Sequence, residues 1–112
     1  MTRTADVPEF DHATIAWRDN GVATVAIRNS GPLNILSSAV MEGMRDAIAH
    51  VSADPCLRVL ILRGEGEKAF VAGADIHEMV DLDAQGATAF ITRLYDLCEA
   101  VRNCPVPVIA RL

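Results

Sequence analysis

Apolar and polar positions recur in different rhythms along the chain, and the rhythms divide it into elements. Thr14–Trp17 alternates towards a strand. Asp19-Asn20-Gly21 reads as a turn, since Asn-Gly supplies the positive φ angles of a tight hairpin. Val22–Ile27, rich in β-branched residues, predicts the returning strand, and Asn29-Ser30-Gly31-Pro32 breaks it. Ser37 is a candidate helix N-cap. Beyond it Val40, Met41, Met44, Ala47, Ile48 and Val51 fall at helical spacing, with Glu42, Arg45, Asp46 and His50 mostly off that face. Asp54-Pro55 ends this helix.

Val59–Leu62 is a short continuous apolar run, the pattern of a strand buried on both faces. Strand, helix, strand at these lengths predicts a right-handed crossover into a parallel pair. After the polar Gly64–Lys68 loop, a small-residue stretch, Ala69–Gly73, leads to a helical segment near Asp75. A second amphipathic helix is expected over Ala84–Asn103, with Ala87, Phe90, Ile91, Leu94, Leu97, Cys98 and Val101 on its apolar face. Pro105 and Pro107 end it, and Val106–Leu112 reads as the start of a buried strand. Residues 1–13 read as a loose tail, so the expected class is α/β over residues 14–112.

Composition narrows the functions. Of the 112 residues, 51% are apolar, enough to form a core. The net charge of −5 and the absence of a basic stripe argue against nucleic acid as the partner. Cys56, Cys98 and Cys104 match no zinc spacing, and their odd number suits a reducing compartment. Residues 1–13 hold no apolar h-region and carry Asp6, Glu9 and Asp11, so no targeting signal is expected. Neither is a membrane span, because no apolar run reaches the ~18–20 residues needed. A cytoplasmic location is the default expectation.

Several motifs fail on inspection. The Gly64-Glu65-Gly66 loop with Lys68 lacks the Gly-Lys-Ser/Thr end of a phosphate loop. His77-Glu78 is not followed by a second His one turn on, where Asp81 stands, so no metal is expected. There is no Gly-x-Ser-x-Gly elbow. His12, in the tail, and His50, on a helix face, read as surface residues.

The segment Lys68–Met79 (KAFVAGADIHEM) is different. Small residues running into a helix start let backbone N–H groups approach a ligand. Acyl-transfer and enolate chemistry need such donors at a developing oxyanion. By spacing alone, a tight loop packing small residues against a helix is the better account of the segment.

KAFVAGADIHEM resembles the signature of the enoyl-CoA hydratase/isomerase (crotonase) family. Three further segments resemble the same family in order and spacing: Gly31–Ser37, Asp54-Pro55 with Arg58–Gly64, and Cys104–Ala110. At position 35 Ile replaces the commoner Ala. The resemblance implies the N-terminal part of a crotonase-like ββα spiral, ending before the second oxyanion loop.

It also implies that the Ala74 N–H is one of two donors to a thioester carbonyl. Ala72, Gly73, Asp75 and Ile76 would lie along coenzyme A, with Leu33, Asn34 and Ile35 nearby. Asp75 also reads as a helix cap, and Glu78 could face either solvent or the acyl channel. Coenzyme A would be part of the substrate, so no separate cofactor is expected. The family is typically homo-oligomeric, as a trimer or a dimer of trimers.

The second oxyanion donor and the acid/base carboxylates would come from beyond Leu112. One lost oxyanion donor costs roughly 2.7–4 kcal/mol of transition-state stabilisation. A lost acid/base costs about 10²–10⁴-fold in rate. The chain alone is therefore expected to be inactive and, with apolar surface of the Ala84–Asn103 helix and the Val59–Leu62 strand left uncovered, prone to associate. A non-catalytic module that binds coenzyme A or docks on a partner subunit, and a remnant without a stable fold, remain alternatives.

Overall fold

The computed structural model describes residues 7–112. The part of the expected tail in residues 1–6 lies outside them. A four-stranded sheet runs in the order β1-β2-β3-β4, from Ala13–Trp17, Val22–Ile27, Val59–Gly64 and Val108–Ala110. The β1/β2 pair is antiparallel, whereas β2/β3 and β3/β4 are parallel. Helix α1 (Ser38–Ser52) makes the first crossover, and α2 (Ile76–Val80) with α3 (Ala84–Arg102) makes the second.

The hairpin forms at the expected place but with a different turn. Only Gly21 takes a positive φ, +82°, and Asn20 does not. The Gly21 N–H donates to Arg18 O at 3.3 Å, and the Arg18 N–H donates to Val22 O at 2.9 Å. This pattern is a type I turn closed by a left-handed glycine rather than a primed two-residue turn. The buried Gly21 also accepts through its carbonyl from the N–H groups of Arg58 and Val59. A side chain there would meet Cys56 O at 2.5 Å. The turn therefore also holds the start of β3.

Helix α1 follows its sequence rhythm closely: Val40, Met41, Met44, Ala47, Ile48 and Val51 are all buried. Ser37 caps it, its hydroxyl accepting from the Val40 N–H at 3.2 Å. Helix α1 packs on β1 and β2, and α3 packs on α1. Exposed ion pairs Arg93–Glu42 (2.7 Å) and Arg45–Asp96 (4.0 Å) link the two helices. In α3 only Phe90 is fully buried. Leu94, Leu97 and Val101 are half-buried, and Ala87, Ile91 and Cys98 are exposed. The apolar face is narrower than its sequence pattern because α3 meets one neighbouring helix rather than a sheet.

Strand β3 departs from expectation in the same way. Leu60 is buried, but Val59, Ile61 and Leu62 are half-buried, because α1 covers one face of the sheet only. Residues 10–13, placed in the tail by sequence, are tied to the sheet. Ala13 begins β1 at 2% exposure, and Phe10 packs against the core. The Arg28 N–H donates to His12 O at 3.0 Å, and Asn29 Nδ2 donates to Asp11 O at 2.7 Å. Among the described residues no helix is long and apolar enough to cross a membrane.

Candidate functional site

The segment that stands out in the sequence, Ala69–Glu78, runs back from the end of β3 along residues 33–38. Three backbone bonds fix the alignment. The Ala72 N–H donates to Leu33 O at 3.1 Å, the Leu36 N–H to Gly73 O at 2.8 Å, and the Asp75 N–H to Leu36 O at 2.9 Å. Together the last two make a short parallel bridge between Leu36 and Ala74. A parallel bridge is made by the neighbours of one of its two residues. Here Gly73 and Asp75 do the bonding, and the N–H and C=O of Ala74 itself are left out of the ladder. The Ala74 N–H has no hydrogen-bond acceptor among the described residues.

Ala74 is half-buried, with the exposed Ala72 and Gly73 before it. Gly73 adopts φ +120°, and nothing lies within 4 Å of where its Cβ would stand. Backbone conformation, rather than crowding, selects glycine there, and the backbone stays open to close approach. Leu33 is 46% exposed and Ile76 71% exposed. The structure thus gathers Leu33, Ala72, Gly73 and Ala74 by hydrogen-bonded alignment, with Ile76 opening α2 just beyond.

Asn34 sits apart from that open surface. It is 1% exposed and left-handed, with φ +53°. Its Nδ2 donates to Glu65 O at 3.0 Å and to Ala69 O at 2.8 Å. The side chain clamps the loop after β3 and presents nothing outward. Gly64 completes the junction, because a Cβ there would collide with Asn34 Nδ2 and Phe70 O and stand 2.8 Å from Ala69 O. Ile35 is half-buried; its N–H donates to Ser30 O at 3.2 Å and its carbonyl accepts from the Ser30 hydroxyl.

Both nearby carboxylates are engaged. Asp75 caps α2, its Oδ1 accepting from the Glu78 N–H at 3.2 Å. Glu78 is half-buried, and its Oε2 accepts from the Ser38 N–H at 2.9 Å. That contact spans 40 residues of sequence, and no local pattern signals it.

A separate cleft of about 370 Å³ opens at the carboxyl ends of β3 and β4, lined by Arg63, Lys68, Phe70 and Arg111 among others. Ala74 is not part of its lining.

Comparison with known proteins agrees with the fold and the segment order. The enoyl-CoA hydratase/isomerase family model matches residues 18–112. A crotonyl-CoA hydratase of Syntrophomonas wolfei is 34% identical over 99 residues, covering 86% of this chain and 37% of that protein. Among solved structures, an enoyl-CoA hydratase/carnithine racemase from Magnetospirillum magneticum superposes with a TM-score of 0.82 at 36% identity, over 91% of this chain and 39% of that one. An enoyl-CoA hydratase of Mycobacterium smegmatis gives a TM-score of 0.83 at 28% identity, over 90% and 39%. The chain spans about a third of the length of the curated relatives it matches, from 30% to 37%.

Proposed function

The chain belongs to the enoyl-CoA hydratase/isomerase family, and from that premise we propose that it binds an acyl-CoA thioester with the Ala74 N–H donating to the thioester carbonyl oxygen. The observation that carries this reading is the Ala74 amide, left out of the bridge that its neighbours make and lacking an acceptor among the described residues. A donor held in a fixed frame needs no reorganisation when charge grows on the carbonyl oxygen. Removing the α-proton of a thioester, or adding water to its enoyl double bond, puts that charge there as an enolate. Coenzyme A would lie over the open backbone of Ala72 and Gly73, beside Leu33 and Ile76. It enters as part of the substrate, and the proposed reaction uses no resident cofactor.

Proton movement needs carboxylates other than the two nearest. Asp75 caps α2 and Glu78 holds the start of α1, so each carboxylate already has a structural partner. The proposal is accordingly that these 112 residues recognise the thioester and polarise its carbonyl without hydrating it. Water addition or double-bond migration would require acid/base groups that this frame does not bring to Ala74. Calorimetry with acetyl-CoA tests the binding, and loss of enoyl absorbance from crotonyl-CoA tests turnover. Saturable heat without turnover is expected. No heat at millimolar acetyl-CoA would remove the binding role, and turnover above background would show that a proton-transfer group is present.

A further inference from the structure

We propose that Glu78 is a positioning residue, holding the Ala74 amide in place by tying the α2 turn to the first N–H of α1. This rests on the thioester reading for its purpose, but its geometry stands separately.

The Ala74–Glu78 segment is anchored at both ends to one stretch of chain. At its start, Gly73 O and the Asp75 N–H both bond to Leu36. At its end, Glu78 Oε2 accepts from the Ser38 N–H at 2.9 Å. Leu36 and Ser38 are two residues apart, so the segment spans a short rigid base. Within the turn, Asp75 Oδ1 accepts from the Glu78 N–H at 3.2 Å, and Asp75 O accepts from the Met79 N–H at 3.2 Å. The exposed α2 buries no residue fully. With little packing to hold it, its orientation depends on these hydrogen bonds.

Charge reinforces the contact. Helix α1 is 15 residues long, and an ionised carboxylate at its N-terminus meets both a free N–H and the positive end of the helix dipole. Helix α1 also contributes more side chains to the buried core than any other element. Glu78 therefore ties the exposed turn carrying the Ala74 amide to a helix held by core packing.

The test breaks the bond from each side. Glu78→Ala removes the acceptor. Ser38→Pro removes the donor while keeping the helix start, because proline suits the first helical position and Ser37 is already extended at ψ 170°. Amide hydrogen exchange is read at Leu36 and Asp75, with acetyl-CoA affinity measured alongside. Each variant should speed exchange at both amides by roughly tenfold or more, with the double variant no faster than either single one. Glu78→Gln, which keeps an acceptor, should recover part of the protection.

Unchanged exchange at Leu36 and Asp75 in both variants would overturn the proposal and leave Glu78 as a cap of α1 only. Additive effects in the double variant would overturn it too, since the two groups would then act separately. If the unaltered chain binds no acetyl-CoA, the thioester reading falls, and the exchange result still judges Glu78.

Discussion

Asn34→Asp exchanges a carboxamide for a carboxylate of the same shape in an enclosed site. The wild-type Nδ2 group gives hydrogens to Glu65 O at 3.0 Å and Ala69 O at 2.8 Å. A carboxylate has none to give and turns an oxygen towards two carbonyls. Two such bonds are worth about 2 kcal/mol net, at roughly 1 kcal/mol each. An uncompensated buried charge adds several more, so a total cost of about 4–5 kcal/mol is expected for Asp.

Asn34→Ala loses the same bonds and must hold φ +53° without asparagine's tolerance for it, an added ~1 kcal/mol. Its expected cost is about 3 kcal/mol, and Asn34→Gly, relieved of the φ penalty, should be no worse. Domains of this size are stable by only about 5–15 kcal/mol, so these are large fractions. Urea unfolding followed by Trp17 fluorescence measures them, provided the slope with denaturant stays constant. An Asp variant within about 1 kcal/mol of wild type would refute the clamp.

Other substitutions probe the rest of the frame. Gly73→Ala should cost about 1–3 kcal/mol through its φ of +120° alone, since the space around it is open, and the same unfolding assay reads it. Phe90→Ala removes the one fully buried side chain of α3 and should cost roughly 3–5 kcal/mol, with faster exchange along the whole helix. Arg93→Ala breaks the exposed 2.7 Å pair with Glu42 and should cost less than about 1 kcal/mol, diminishing in high salt.

The contrast between these positions tracks what the sequence made legible. Every buried position of α1 was readable, because a helix lying on a sheet buries one face at period 3.6 and its polar positions mark the other. The Gly64–Ile76 region showed its small residues and its cap, Asp75, since both are local signals. The long-range contacts of the two clamps were not readable. Asn34 meets its partners 31 and 35 residues away, and Glu78 meets Ser38 across 40, separations at which only the closed sheet sets the distance. The breadth of burial on β3 and α3 was overread for a related reason. An apolar run records what a residue can bury, whereas the faces covered depend on which elements stand beside it. The exposed Ala87, Ile91 and Cys98 of α3 are the visible remainder.

The most direct test is the backbone resonance of Ala74 itself. In a ¹⁵N-labelled chain titrated with acetyl-CoA, the Ala74 amide proton should shift downfield saturably, and its solvent exchange should slow as the carbonyl oxygen takes up the unused N–H. Shifts confined to other residues, with Ala74 unmoved at saturating ligand, would contradict the assignment of that amide to the thioester.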